Sequence, residues 1–414
     1  MASLPPEILC AIFLASIAPL DGINAYFPWI LTHVCRHWRQ SALAFPKLWA
    51  FIDLEQTQNN EEPGSTAQDF LETYLARSGQ HPLTFRLAYS EEHTIHMHPF
   101  LHALLAHSKR WEDVRIEAPP LLAIEVLSQG DASDFPLLRR FSCSHHYDFD
   151  SDVVTEGPIF SPIPWAQLER YHEYDCSWYL ADERQWEIIP QLTQVVDLRT
   201  CFSSVPETED LIELPHLRFA SFAVDRRADI EIEDVLECFD LPQLQGFSLL
   251  LTKRHDSDLL CPTVPEPLKT LSVLRLCGSL EISNEALACI LSSIPTLLDF
   301  AIELALSDTD ALHLFTLLKP TSESALVPNL QTLRITPCSE KEENAVNELL
   351  AMLRVRFGGG TGFSALREFI FYHASWRRVP TIVDRLQSIK KQEGWDIQVV
   401  EEWQGYLWKE SLAL

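Results

Sequence analysis

The sequence predicts an α/β fold: a short helical segment at the N-terminus, then a curved array of parallel strands alternating with helices. Three observations predict it. Residues 1–54 carry two apolar stripes at helical spacing and no net charge, whereas the 414-residue chain as a whole carries −27. A polar, turn-prone stretch follows at 55–65. Beyond it, a short leucine-based unit returns at intervals of 24 to 36 residues, a regularity that stacked repeats require and unrelated globular domains lack.

Composition narrows the function classes. With 59 acidic against 32 basic side chains, the chain repels phosphate backbones and anionic bilayers, so neither nucleic acid nor membrane is an expected partner. No apolar run reaches the roughly 18 residues needed to span a bilayer. The start, Met1-Ala2-Ser3-Leu4-Pro5-Pro6-Glu7, lacks the basic opening of a secretory signal. The ten cysteines include no CxxC pair, and the nearest two, Cys277 and Cys289, are twelve apart. They read as free thiols in a reducing compartment, cytoplasmic or nuclear.

In the N-terminal segment, Arg36, Arg39 and Lys47 balance Glu7, Asp21 and Asp53. Pro5-Pro6 opens a helix, because proline's fixed φ suits the first turn and its missing N–H is not needed there. Ile8, Leu9, Ile12, Phe13 and Ile17 then recur at helical spacing. Asp21-Gly22 breaks the chain. A second stripe runs through Phe27, Ile30, Leu31, Val34, Cys35, Trp38 and Ala42, with Arg36, His37, Arg39 and Gln40 on its other face. Pro46 ends that helix and Leu48-Trp49 follows. About fifty residues cannot bury this much apolar surface alone, so part of it must face a partner or the rest of the chain.

Four ordered blocks carry a resemblance: Leu4-Pro5-Pro6-Glu7-Ile8-Leu9, Ile12-Phe13, Val34-Cys35-Arg36-His37-Trp38-Arg39, and Pro46-Lys47-Leu48-Trp49. Together they resemble the F-box, with a longer and more aromatic middle from Asp21 to Ile30. The resemblance implies docking onto the Skp-type adaptor of SCF (Skp–cullin–F-box) ubiquitin ligases, and through it onto a cullin. Carried over by position, Leu4, Pro5, Pro6, Ile8, Leu9, Ile12 and Phe13 supply the first half of that contact. Val34, Cys35, Trp38, Leu48 and Trp49 pack the motif or complete the interface. Helical anchors at this spacing suit a partner groove. The spacing alone does not separate groove-facing from core-facing members of the stripes.

After the linker, Thr66 and Asp69 start a helix, Phe70, Leu71, Tyr74 and Leu75 form its apolar face, and Gly79 stops it. Residues 82–87 alternate like a strand. The repeat then sets in. With its first leucine as anchor, the copies fall at Leu138, Leu168, Leu192, Leu217, Leu244, Leu271, Leu297, Leu330 and Leu366. Weaker copies start at Leu83 and Trp111. Leu330-x-x-Leu333-x-Ile335-x-x-Cys338 resembles a leucine-rich repeat, although most copies lack the final Asn/Cys position. The last two intervals, 33 and 36 residues, predict insertions, and Gly358-Gly359-Gly360-Thr361-Gly362 within the second reads as a flexible connection. The stretch from Trp395 to Leu414, with Trp403, Tyr406 and Trp408, is expected to cap the array. Because strand side chains alternate, the residues between the two buried positions of each strand should share one outward face. They are Ser142, His172, Ser221, Ser248, Arg275, Ala301, Arg334 and Ile370, a mostly neutral candidate substrate face.

Catalytic and metal motifs are weak. His93, His96, His98, His102 and His107 cluster, and His98 and His102 stand four apart, but no HExxH or cysteine partner accompanies them, so a polar helix face is expected rather than zinc. Asp148-x-Asp150-x-Asp152 starts like a calcium loop, but Val153 stands where the loop needs glycine and Ile159 where it needs glutamate. The triple glycine at Gly358 has no following Lys-Ser/Thr, and no GxSxG elbow exists. The expectation is a chain with an F-box at 1–54, a linker at 55–65 and a leucine-rich-repeat-like solenoid with a C-terminal cap at 66–414. It would recognise an unidentified target protein for an SCF-type ligase, without catalytic residues, metal or cofactor. The alternative is a scaffold acting without ubiquitin transfer, and an enzyme built around the histidines ranks last.

Overall fold

The computed structural model describes residues 4–17, 27–55, 65–88, 98–117, 131–144, 163–174, 182–202, 204–206, 210–224, 230, 232–251, 266–278, 284–303, 308–320, 326–336, 343–359, 362–373 and 380–401. The chain divides into two compact units, Met1–Val195 and Val196–Leu414. Both are α/β, and each strand of their main sheets runs parallel to its neighbours. Among the described residues, no helix is long and apolar enough to cross a membrane.

In the first unit, helix α1 (Pro6–Ile17) opens at a proline, as the sequence predicts. Its Leu9, Phe13 and Ile17, four apart, form the buried side. The Phe13 ring meets Trp38 edge-on at 5.1 Å, tying α1 to α3 (Arg36–Leu43). In the sequence, α2 (Phe27–Val34) comes between them, and it packs on α3. Cys35 caps α3, its Sγ accepting from the Trp38 N–H at 3.4 Å. A 3-10 turn at Pro46–Ala50 then buries Leu48 and Trp49 completely.

Trp49 joins the helices to the sheet. Its Nε1–H donates to the Ala42 carbonyl at 2.8 Å, satisfying a group at the end of α3. Its ring packs edge-on against Trp29 at 5.3 Å and against Tyr74 of α4 (Ser65–Ser78) at 5.1 Å. The Arg77 guanidinium lies over both tryptophans, 4.9 Å from Trp29 and 4.3 Å from Trp49. The chain passes straight from the turn into β1 (Phe51–Glu55), which pairs with β2 (Leu83–Ala88). Residues 51–54, read from sequence as the end of the N-terminal segment, are therefore sheet. Within the expected linker, Glu55 closes β1, Ser65 opens α4, and 56–64 lie outside the described residues. Gly79 ends α4 at φ 59, where a side chain would be strained. The order then continues through α5 (His98–Leu105), β3 (Trp111–Glu117), β4 (Arg140–Ser144), β5 (Arg170–Tyr174) and α6 (Asp182–Ile188). Trp111 repeats the device of Trp49, its Nε1–H donating to Leu104 O at 3.0 Å from the end of α5.

The second unit contains β6 (Asp197–Phe202), β7 (Ile212–Glu213), β8 (Phe219–Val224), α7 (Ile232–Glu237), β9 (Phe239–Asp240), β10 (Gly246–Leu251), β11 (Val273–Gly278), α8 (Asn284–Ser293), β12 (Asp299–Glu303), α9 (Asp308–Leu318), β13 (Thr332–Ile335), α10 (Glu343–Gly358), β14 (Glu368–His373), α11 (Pro380–Glu393) and β15 (Ile397–Glu401). Its main sheet runs β6-β8-β10-β11-β12-β13-β14-β15, and the short β7 and β9 pair separately. The expected insertions hold α9 and the sixteen-residue α10. Gly358 is the last residue of α10 rather than part of a flexible connection; Gly360 and Thr361 lie outside the described residues, as do Cys338 and the aromatic residues of the expected cap, Trp403, Tyr406 and Trp408.

A four-residue turn starts eight of the repeats, whereas at the last predicted anchor the Leu366 N–H bonds Arg356 O at 2.9 Å instead. The first residue of the turn is apolar and buried: Phe135, Trp165, Leu192, Leu214, Leu241, Leu268, Ile294 or Val327. The carbonyl of that residue accepts from the N–H three residues on, at 3.1 to 3.4 Å. Proline occupies the second place at 136, 215, 242, 295 and 328, where its φ is already that of a turn. The fourth residue is the anchor, buried at Leu138, Leu168, Leu217, Leu244, Leu271, Leu297 and Leu330. One predicted anchor is corrected. Leu192 takes the first place of its turn, and Val195, whose N–H bonds Leu192 O at 3.2 Å, is the anchor. The residue after each anchor then offers one carbonyl to two N–H groups of the next repeat. Arg218 O takes Gln245 N at 2.8 Å and Gly246 N at 3.0 Å, and Gln245, Ser272, Leu298 and Gln331 do the same in turn.

Two residues in the second unit are held by steric or polar necessity. A Cβ on Gly246 would lie 2.8 Å from Cδ1 of Phe219, whose ring covers that glycine. Arg356 of α10 is fully buried and donates to three carbonyls: Leu318 O (2.8 Å), Val327 O (3.1 Å) and Leu326 O (2.7 Å). Burial pulls its pKa down to about 10, so it stays charged at neutral pH. Val327 has φ 45, a strained value for a β-branched residue, and this guanidinium holds its carbonyl. Arg356→Met strands the Leu318 and Leu326 carbonyls and leaves Val327 O with only the Leu330 N–H, and should cost about 2 kcal/mol or more in urea unfolding, with Arg356→Lys recovering only part because an ammonium lacks the planar fork. Gly246→Ala should cost about 1–3 kcal/mol through overpacking, relieved when Phe219→Leu is combined with it.

Candidate functional site

Two surfaces merit a functional reading, one in each of the regions that the sequence singles out. The first lies on the N-terminal helices. The structure sorts the stripes that spacing left mixed. Leu9 and Phe13 of α1, and Leu48 and Trp49 of the following turn, are buried. Leu4, Ile8 and Ile12 stand on the opposite side, with Ile8 half exposed at 50%. Pro5, Pro6 and Cys35 are exposed and Trp38 is half-buried. On α2, Ile30 and Val34, four apart, are exposed while Leu31 is buried. Of the ten large apolar side chains that are exposed among the described residues, six fall in 4–43: Leu4, Ile8, Ile12, Ile30, Val34 and Leu43. Exposure concentrated in one segment makes these helices the candidate contact surface. The His37 ring Nε2 donates to the Leu4 carbonyl at 3.0 Å, so α3 holds the start of α1.

The second surface is the face of the strands. In the first unit, register aligns Asp53, Arg86, Arg115, Ser142 and His172. In the second it aligns Arg199, Ser221, Ser248, Arg275, Ala301, Arg334, Ile370 and Gln398. The predicted face residues thus occupy a common row in each unit. Their exposure differs from expectation: Ser142, His172, Ser221, Ser248, Arg275, Ala301 and Ile370 are buried, and Arg334 is half-buried. A parallel sheet is ordinarily covered on both faces, so the expected open face is corrected to an enclosed one.

Lateral ion pairs hold the enclosed charges. Arg86 forks onto Glu117 with two bonds of 2.9 Å, and Arg115 Nε reaches the same carboxylate at 2.7 Å. In the second unit Arg334 donates to Asp299 at 2.7 Å. Arg199 and Asp197, both buried, are 3.9 Å apart. Burial holds the Asp299 carboxyl above its usual range, against the opposing pull of Arg334 and Arg275.

Sequence reading missed Arg199. The reason is the displaced anchor: counting four residues on from Leu192 gives Val196, whereas counting from Val195 gives Arg199. The apolar–x–x–apolar spacing of Leu192 and Val195 was the available signal. Of the histidines, His93 and His96 lie outside the described residues, and His98 and His102 sit on α5, His102 exposed. The His107 pKa is lowered by burial, then by Arg110. Asp148, Asp150 and Asp152 also lie outside the described residues, among which no three His, Cys, Asp or Glu side chains converge as a metal site.

The raised Asp299 pKa fixes a sign. The folded state binds this proton more tightly than the unfolded chain, so stability from this group is present at low pH and is lost as pH rises through the folded value. Relative to Asp299→Asn, the parent should therefore gain stability as pH is lowered from 7 through the raised pKa, as read from urea midpoints along a pH series. Compared with family models and with curated proteins, the chain matches none.

Proposed function

We propose that this chain is the target-recognition subunit of an SCF-type ubiquitin ligase. The N-terminal helices dock onto a Skp-type adaptor, and through it onto a cullin, while the leucine-rich-repeat-like array holds a target protein. The chain itself contributes binding and no catalytic residue.

The observation that carries this reading is the division of α1 into two apolar sides. Leu9, Phe13 and Ile17 complete a core, and Leu4, Ile8 and Ile12 are exposed, as are Ile30 and Val34 of α2. Isoleucines spaced four apart and held rigidly at a surface are anchors for a partner groove. The F-box-like blocks supply the same residues from the sequence side, because Leu4, Ile8, Ile12 and Val34 all fall within them.

The test follows from the same division. Ile8→Asp combined with Ile12→Asp alters only exposed positions, so the chain should fold with an unchanged melting temperature. Burying two unpaired carboxylates in an interface costs several kcal/mol, so co-purification with a Skp-type adaptor should fall about 100-fold or more. Leu9→Asp should instead unfold the N-terminal helices. Retention of the adaptor by the folded Ile8/Ile12 double variant would defeat the docking assignment. Recovery of the adaptor without cullin or a ubiquitylated partner would favour the scaffold reading.

A further inference from the structure

We infer, building on the docking reading, that His37 and Arg39 of α3 are positioning residues: they hold the exposed sides of α1 and α2 in the arrangement that an adaptor grips. Among the described residues, α1 and α2 each pack on α3 and make little contact with one another. Their mutual placement therefore depends on what α3 does to each.

Side-chain donors on α3 reach both neighbours. His37 Nε2–H donates to Leu4 O at 3.0 Å, across 33 residues of chain. A carbonyl only accepts, so the proton stands on Nε2. Arg39 Nε–H donates to Thr32 O at 2.6 Å. Positions two apart point about 200° from each other around a helix axis, so the two bonds leave α3 on different flanks. Each meets a carbonyl that regular helical bonding leaves over. Leu4 stands ahead of α1, and Thr32 lies in the last turn of α2.

Both bonds act on the outer side of the helices. Leu4 is itself exposed, and the first turn of α1, where the Ile8 and Leu9 N–H groups bond Pro5 O at 3.1 Å, starts from it. On α2, Thr32 sits between the exposed Ile30 and Val34. The inner side has fasteners of its own: the Phe13 ring meets Trp38, and the Trp49 N–H holds Ala42 O. Loss of the two α3 donors thus leaves the core packing in place and frees the outer parts. A partner that takes both helices at once binds only molecules in which both are set, and it binds the whole population more weakly when fewer are set.

The experiment uses the full chain and an immobilised, purified Skp-type adaptor, with association and dissociation followed separately. His37→Ala and Arg39→Met remove the donors. His37→Gln and Arg39→Gln restore one, because the glutamine amide nitrogen stands as many bonds from the backbone as Nε2 of histidine and Nε of arginine. Each donor-free variant should slow association about fivefold, and the pair about tenfold or more, because fewer free molecules are competent. Dissociation should keep the parent rate, since the anchors that hold the complex are untouched; Ile8→Asp with Ile12→Asp should instead speed it. The glutamine variants should return to the parent association rate. Without adaptor, amide exchange at Ile8 and Leu9 should be faster in His37→Ala than in the parent and normal in His37→Gln, at an unchanged melting temperature. Donor-free variants that associate at the parent rate, a loss carried by dissociation, or glutamine variants that behave like the donor-free ones would overturn the positioning role and leave the docking reading standing. A parent chain that binds no adaptor would defeat the docking reading and this role with it.

Discussion

Parallel strands cannot be set level by a hairpin, so something else must start each one at the same height. Here it is a single carbonyl per repeat. The residue after each anchor, such as Arg218, Gln245 or Ser272, accepts two N–H groups from the repeat that follows. The preceding turn delivers that carbonyl to its place, and proline at 215, 242, 295 and 328 stiffens the turn. Register fixed at this one point propagates along the strand. It is why Arg199, Ser221, Ser248 and Arg275 form a straight row although 22 to 27 residues separate each from the next.

The N-terminal helices obey a different constraint. They are too few to enclose both sides of their apolar stripes, so one side is completed by the first unit and the other is left in water. Trp49 decides which side is which. Its indole N–H closes the end of α3, its ring meets Trp29 and Tyr74, and Arg77 lies over it. With that side committed to the fold, Ile8, Ile12, Ile30 and Val34 are left about half exposed.

How much of this was legible in the sequence depends on the kind of signal. Leucine anchors and turn prolines are local, and they located most strands to within a residue or two. Position 192 misled because leucine also suits the first place of the turn, and valine at 195 hid the true anchor. The face row was readable because strand alternation is a fixed geometry, but its burial was not, since alternation reports direction and says nothing of what lies opposite. On α1 the spacing showed which residues are apolar. It could not divide Leu9 from Ile8, because that division depends on Trp38 and on the other partners the helix meets, and those contacts are made across the fold. Arg356 was invisible for the same reason: its three carbonyl partners come from residues 318, 326 and 327.

The passage from Trp49 directly into β1 has a consequence for the border of the first sheet. β1 is the outermost strand of its sheet, and it is carried there by the helical segment. Cutting the chain after residue 54 would move that edge inward to β2 and strip the strand paired with it. The N-terminal helices and the border strand of the first sheet are thus one continuous piece of chain, and neither can be removed without disturbing the other.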